Sequence, residues 1–445
     1  MKKLMKSAVL LIIILVGVTA WFATRTPDTP FDTLQADNYK SDELIKRGEY
    51  VARLSDCVAC HTTPGNPAFS GGLAMGTPVG TVYTTNITPD KEAGIGNYSL
   101  ADFDRAIRHG VSKDGHRLYP AMPYPSYSKM SDSDVQALYA FFMNDVKPVQ
   151  KPNKAPDIPW PLNMRWPLAF WNALFTESSV YQTDPKQDDQ WNRGAYLVQG
   201  AGHCGSCHTP RGFAMQEKAY DQTSKDYLAG NTLDGWYAPS LRNDPNSGLG
   251  RWTEEDVYKF LKNGRNEHAV VYGSMTDVFN NSTQFMSDKD LYAIANYLKS
   301  LPGNPERDGE PWQYEPQIIS GHLLNKPGAQ TYMTRCSYCH GKDGMGRGST
   351  IPPLAGATSM LVPSIASAVN ITLNGSGRVV DQGVPDAYRM PVFRDELSNK
   401  EIAEVLSFIR SSWGNQGRAV TAGDVEKMRK ETDPASSEVI ILQMR

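Results

Sequence analysis

Three stretches of the chain carry the same succession of amphipathic segments. The first begins at Ser41, with Leu44, Ile45 and Val51 at helical spacing on the way to Cys57. Arg47-Gly48-Glu49-Tyr50-Val51 in this segment matches Arg193-Gly194-Ala195-Tyr196-Leu197, and Gly328-Ala329-Gln330-Thr331-Tyr332 is a looser version. A second helix follows in each copy. Ser99…Asp102 opens one carrying Phe103 and Ile107 up to Gly110, and Thr253…Asp256 opens one carrying Val257, Phe260 and Leu261 up to Gly264. Both show capping-box spacing at the start and glycine at the end. In the third copy Ala366, Val369 and Leu373 form a weaker stripe ending at Gly375. Closing helices start at Ser131…Asp134, Ser287…Asp290 and Ser398…Glu401, each followed by apolar residues at i, i+3, i+4 and i+7. A unit repeated at well over a hundred residues predicts three copies of one helical domain.

Other stretches break this pattern. Residues 8–23 are apolar except for Gly17 and Thr19, and follow Lys2, Lys3 and Lys6. Such a segment is a secretion signal or an N-terminal anchor, and places the rest of the chain outside the cytoplasm. Val18-Thr19-Ala20 offers a cleavage site, and cleavage is the favoured reading. The resulting division is 1–23 leader, 41–146 domain 1, 147–189 connector, 190–300 domain 2, 301–317 linker, 318–414 domain 3 and 415–445 tail. The connector joins Pro148, Pro152, Pro156, Pro159, Pro161 and Pro167 to Trp160, Trp166, Phe170, Trp171, Leu174 and Phe175. Those side chains pack onto neighbouring domains or contact a partner, a quinone or a membrane surface. In the tail, 439–442 reads as an edge strand or packing segment.

Length and composition fit several folded domains. Net charge is −3, or −6 without the three leader lysines, which gives no sign of nucleic-acid binding. All six cysteines fall in Cys57-Val-Ala-Cys60-His61, Cys204-Gly-Ser-Cys207-His208 and Cys336-Ser-Tyr-Cys339-His340. Each is a c-type haem attachment motif: the two thiols reach the porphyrin vinyl groups, and the histidine becomes an axial iron ligand. Zinc would need further ligands in register, whereas the other histidines (His109, His116, His203, His268, His322) form no array. A redox dithiol does not require the following histidine. Three covalently bound haem c groups therefore indicate electron transfer, in an all-α chain of three tandem class I-type cytochrome c domains.

A methionine on the opposite haem face would close each iron and suit it to electron transfer. Met122, Met275 and Met390 precede the closing helices, 61, 67 and 50 residues after His61, His208 and His340. Each has a tyrosine two or three residues upstream. Rival sulfurs are Met75, Met130, Met286, Met345 and Met360, and rival imidazoles are His109, His116 and His268. Pro64 and Pro210, just after two of the histidines, are candidates for fixing the loop that holds the imidazole. Arg265, Arg378 and Arg389 are candidates for propionate or partner contacts. No nucleophile, paired-carboxylate or nucleotide motif stands out, so catalysis of substrate oxidation is assigned to another chain.

The three motifs, the Arg-Gly-x-Tyr segments, Thr84-Thr85-Asn86-Ile87-Thr88-Pro89, Tyr119-Pro120-Ala121-Met122-Pro123-Tyr124 and Met390-Pro391-Val392-Phe393 together resemble the triheme cytochrome c subunit of bacterial membrane-bound dehydrogenases. The resemblance spans about residues 40–415 and is nearest to the gluconate 2-dehydrogenase subunits. It implies a flavoprotein catalytic partner, a possible small third subunit, ubiquinone as acceptor, and a place on the periplasmic side of the inner membrane. The cytochrome subunit of a quinoprotein alcohol dehydrogenase, or of another sugar, polyol or aldehyde dehydrogenase, is the alternative. A di-haem peroxidase-like protein, with an open iron, is the reading from a different class, and a free-standing electron carrier is another.

Overall fold

The computed structural model describes residues 2–33, 39–177, 179–317 and 319–435. The apolar stretch 439–442 lies outside the described residues. The chain is helix-rich and forms two compact units, Met1–Ala52 with Cys60–Gln182, and Arg53–Ala59 with Thr183–Arg445.

In the first unit, α1 (Lys2–Thr24) exposes most of its apolar side chains, and its 20 residues from Met5 are long and apolar enough to cross a membrane. The helix α2 (Asp42–Leu54) leads to the short motif helix α3 (Cys57–His61), and residues 53–59 of this stretch count with the second unit. A hairpin of β1 (Ala74–Thr77) and β2 (Gly80–Tyr83) follows, then α4 (Leu100–His109), α5 (Tyr124–Tyr127), α6 (Asp132–Asn144) and α7 (Leu168–Phe175). The α4 helix has the expected Ser99–Asp102 capping box, and stops at Gly110, whose φ of 61° is the left-handed turn glycine adopts freely.

The second unit repeats this order. It contains α8 (Asp189–Gln199), α9 (Gly205–His208), the hairpin β3 (Asn231–Leu233) and β4 (Trp236–Ala238), α10 (Glu254–Asn263), α11 (Met275–Asn281) and α12 (Asp288–Ser300). After α13 (Pro305–Asp308) come α14 (Ala329–Thr331), a π-helical turn at Tyr332–Cys336, α15 (Ser337–His340), α16 (Thr358–Leu361) and α17 (Ala366–Asn374). The strands β5 (Val380–Asp381) and β6 (Val384–Pro385), then α18 (Asn399–Arg410) and α19 (Ala422–Glu431), complete it. The three hairpins among the described residues modify the all-α expectation. Strands this short carry too few alternating positions to register in the sequence.

The recurring Arg-Gly pair has a packing cause. A Cβ on Gly48 would lie 1.9 Å from the Ala137 carbonyl oxygen, and one on Gly194 would lie 2.0 Å from that of Ala293. Only glycine lets α2 approach α6, and α8 approach α12, so closely. Gly328 plays the same part in the third copy, where its Cβ would meet the Glu404 carbonyl oxygen at 2.1 Å. The neighbouring arginines tie the same helix pairs. Arg47 Nη2 is 2.8 Å from Asp134 Oδ1, and Arg193 grips both Asp290 oxygens at 2.8 Å. Thus the acidic residue at the start of each of these two closing helices also binds the helix leading to the haem motif.

Residues 301–317, expected as a plain linker, are knitted into the second unit. Asp308 accepts the Asn246 and Ser247 amides at 2.6 and 2.9 Å, and Trp312 donates its indole N–H to the Trp413 carbonyl at 3.1 Å. The helix α19 was not anticipated. It buries Val425 and Met428 in the same core as Phe408 and Trp413.

Candidate functional site

The three motif histidines are held alike. His61 Nδ1 lies 2.7 Å from the Thr85 carbonyl oxygen, His208 Nδ1 2.7 Å from that of Pro239, and His340 Nδ1 3.0 Å from that of Pro352. A carbonyl only accepts, so Nδ1 must carry the proton and Nε2 keeps its lone pair. Burial lowers the pKa of all three rings, the carbonyl bond opposing it, which favours the neutral, ligating form. Pro64 and Pro210 are not the acceptors. Pro64 O takes the Asn66 side-chain amide, and Pro210 O takes the Lys218 amide.

The cysteines form no disulfide. Burial pushes Cys204 up to about 12, and Cys207 and Cys336 to about 11. A redox dithiol needs a depressed pKa, so these thiols are poorly suited to that role. Among the described residues no cluster of three or more His, Cys, Asp or Glu could hold a metal ion, which leaves zinc without a ligand set.

In the second unit one cavity of about 900 Å³ takes in both remaining motifs. Cys204, Cys207 and His208 line it, as do Cys336, Cys339 and His340. Met275, the first residue of α11, and Met390, in the loop before α18, line it too. So do the rivals Met286, Met345 and Met360. Met286 and Met360 are packed away at 4 % exposure, whereas Met345 is 45 % exposed in the turn just after His340. The copies on either side are stitched together by Tyr237, whose amide donates to Ser367 Oγ at 2.9 Å, and by Asn370, which donates to the Gly235 carbonyl at 2.9 Å.

In the first unit Met122 is half-buried in the loop between Tyr119 and Tyr124, its amide 3.3 Å from the Tyr119 carbonyl. Met75 and Met130 are buried in the packing. His116 Nδ1 is 2.8 Å from Asp114, and His109 is the last residue of α4. In the second unit His268 lies against Trp252, ring centroids 5.5 Å apart, and lines the cavity. Arg265 pairs with Asp386, Arg389 donates to the Ser376 carbonyl at 2.8 Å, and the Arg378 carbonyl accepts from Asn280.

A buried acid accompanies the second motif. Glu217 accepts from Ser206 Oγ at 3.2 Å and lies 3.8 Å from Arg211, while its other oxygen has no partner. Burial pushes its carboxyl up to about 7 against the opposing pull of Arg211. No sequence motif announces this residue.

Buried apolar space, thiol pairs and imidazoles with free Nε2 fit a covalently held porphyrin. The cytochrome c family matches residues 192–302 and 326–413, which contain the second and third motifs. Relatives extend the likeness over most of the chain. The alcohol dehydrogenase (quinone) cytochrome c subunit of Gluconacetobacter polyoxogenes is 51% identical over 402 residues, 88% of this chain and 86% of that protein. The gluconate 2-dehydrogenase cytochrome c subunit of Pantoea cypripedii is 48% identical over 408 residues, 89% and 92% respectively. The fructose dehydrogenase cytochrome subunit of Gluconobacter japonicus is 37% identical over 410 residues, 86% and 82%. The molecule is a cytochrome c, a class that implies covalently bound haem c. Within that class, the chain belongs to the family of dehydrogenase cytochrome c subunits.

Proposed function

We propose that the chain is a triheme electron-transfer subunit, built as three cytochrome c domains, that links a dehydrogenase to the quinone pool. The observation that carries this reading is the threefold recurrence of a half-buried motif histidine with Nδ1 bonded to a carbonyl and Nε2 left free. Cys57 and Cys60, Cys204 and Cys207, and Cys336 and Cys339 would hold the porphyrins. His61 with Met122, His208 with Met275, and His340 with Met390 would be the axial pairs. Haem so bound supplies one-electron redox chemistry. The carbonyls of Thr85, Pro239 and Pro352 orient the imidazoles, and a methionine sulfur as second ligand would leave no open position for peroxide.

The catalytic partner is a separate dehydrogenase subunit. Gluconate 2-dehydrogenase with flavin is the reading suggested by the sequence resemblance. Quinone-dependent alcohol dehydrogenase is the second reading, favoured by relatives at 51% identity. The apolar α1 supports export and a place at the periplasmic face of the membrane, with ubiquinone as acceptor. The test is purification of the native complex from membranes. Three haems per chain, reduced when substrate is added, are expected, and the co-purifying flavin or pyrroloquinoline quinone decides the partner. Ready carbon monoxide binding by the reduced native protein would overturn the six-coordinate assignment. Recovery of the whole protein in the soluble fraction, with no dehydrogenase attached, would overturn the subunit reading.

A further inference from the structure

The middle of the connector between the first and second motif copies is poor in charge and largely open to solvent. From residue 158 to 176 the only ionisable residue is Arg165, and it is engaged over the Tyr119 ring at 3.8 Å. Within α7, Ala169 is buried, and Asn172 accepts from Tyr124 and donates to the His109 carbonyl. That side faces the protein. Phe170 and Leu174 lie four apart on one face of α7, Trp166 lies in the turn just before it, and all three are exposed, Leu174 at 74 %. A helix with an apolar outward row and no outward charge is poorly matched to water.

The occupant of this face is indicated by its neighbour. Phe22, near the end of α1, packs on Phe170 with ring centroids 5.0 Å apart. Just before it Trp21 is exposed, and Arg25 sits over the Trp21 ring at 5.7 Å. Tryptophan and arginine at the end of an apolar span mark the level of the lipid headgroups. The Phe22–Phe170 contact sets α7 at that same level.

We propose that α7 and the turn before it form an interfacial membrane foot, with Trp166, Phe170 and Leu174 entering the phospholipid bilayer beside α1. This rests on the exported, membrane-associated reading above and adds a second contact, one that remains if the leader is cleaved after Ala20. A rival occupant for such a face, a dehydrogenase subunit, is an outcome of the test rather than part of the proposal.

The test uses the full haem-loaded chain in phosphatidylglycerol–phosphatidylcholine vesicles whose acyl chains carry a photoreactive diazirine. After illumination, lipid adducts are mapped by mass spectrometry. Adducts on the peptide spanning 160–175 are expected, falling about tenfold in W166S/F170S/L174S, which removes the apolar row but keeps Asn172. The unchanged haem absorbance of that variant reports that the unit is folded. Adducts at 160–175 no more frequent than at the exposed polar loop 64–68 would overturn the proposal. Labelling in the isolated chain but shielding in the native complex would also overturn it, and assign the face to a subunit contact. Neither result depends on electron transfer, so the functional reading stands or falls separately, on haem reduction by substrate.

Discussion

Gly194→Ala tests how closely the helices cross beside the second motif. The new Cβ would lie 2.0 Å from the Ala293 carbonyl oxygen and 2.8 Å from Tyr297 Cβ. Carbon contacts are comfortable at about 3.5 Å, so α8 and α12 would have to part by roughly 1.5 Å, forfeiting about half or more of the dispersion attraction along the seam. The obstacle is backbone, which cannot rotate away. Overpacking of this kind costs about 3 kcal/mol at the upper end of its usual range. Replacing a helical glycine with alanine returns about 1 kcal/mol. The net loss is about 2 kcal/mol, which for a cooperative unit of this size lowers Tm by about 5 °C. Calorimetry of the haem-loaded protein reads the shift. Gly423→Ala is the control: in α19 its Cβ meets only Thr421 Oγ1 at 3.8 Å, and the same helix gain acts unopposed. If Gly194→Ala melts at or above the parent with full haem content, the crossing is looser than described and the explanation of the Arg-Gly repeat fails.

Three further outcomes are expected. Met275→Leu keeps volume, so folding should change by less than about 1.5 kcal/mol; removal of the sulfur should open one reduced haem to carbon monoxide and lower its potential, and an unchanged spectrum with no carbon monoxide binding would assign the sixth ligand elsewhere. Glu217 has its pKa raised from 4.5 to about 7, so the folded state holds its proton more tightly than the unfolded state. Stability is therefore full below pH 4.5, falls as pH rises through 7 by up to about 3 kcal/mol, and then levels; denaturant midpoints of Glu217→Gln should lack this slope, and a parallel slope in both proteins would place its origin in other groups. Arg193→Ala removes a fork from the mostly buried Asp290 and, with screening at the part-exposed arginine, should cost about 1 kcal/mol; chemical denaturation should recover only part of this in Arg193→Lys, because an ammonium cannot bind both oxygens.

What was legible in the sequence was local. Serine or threonine followed three residues later by an acid marks the helix starts at Leu100, Glu254 and Asn399, because the cap bonds lie within one turn. The same signal at Thr421…Asp424, with Val425 and Met428 behind it, marks the start of α19. The Arg-Gly repeat was visible as a pattern, but its reason is the approach of another backbone some ninety residues away. The carbonyls that orient the imidazoles were hidden for a different cause. Thr85, Pro239 and Pro352 lie 24, 31 and 12 residues from their histidines, and any residue can present a carbonyl. Exposure was equally unreadable: the aromatic connector offered packing and contact readings alike, and only the outward row of α7 separates them.

The two units divide the work unequally. In the second, the second and third motifs line one cavity of about 900 Å³. In the first, the loop bearing Met122 is braced by the connector itself: Arg165 lies over Tyr119, and Tyr124 donates to Asn172 at 2.6 Å. If α7 rests in the bilayer surface, these contacts fix the first site to the lipid-facing foot, and the first site becomes the one placed to exchange electrons with a lipid-soluble quinone. The mechanical link then has a measurable signature. Tyr124→Phe cuts the bond to Asn172 while leaving the ring in place, and should disturb the first haem's potential without moving those of the pair in the second unit.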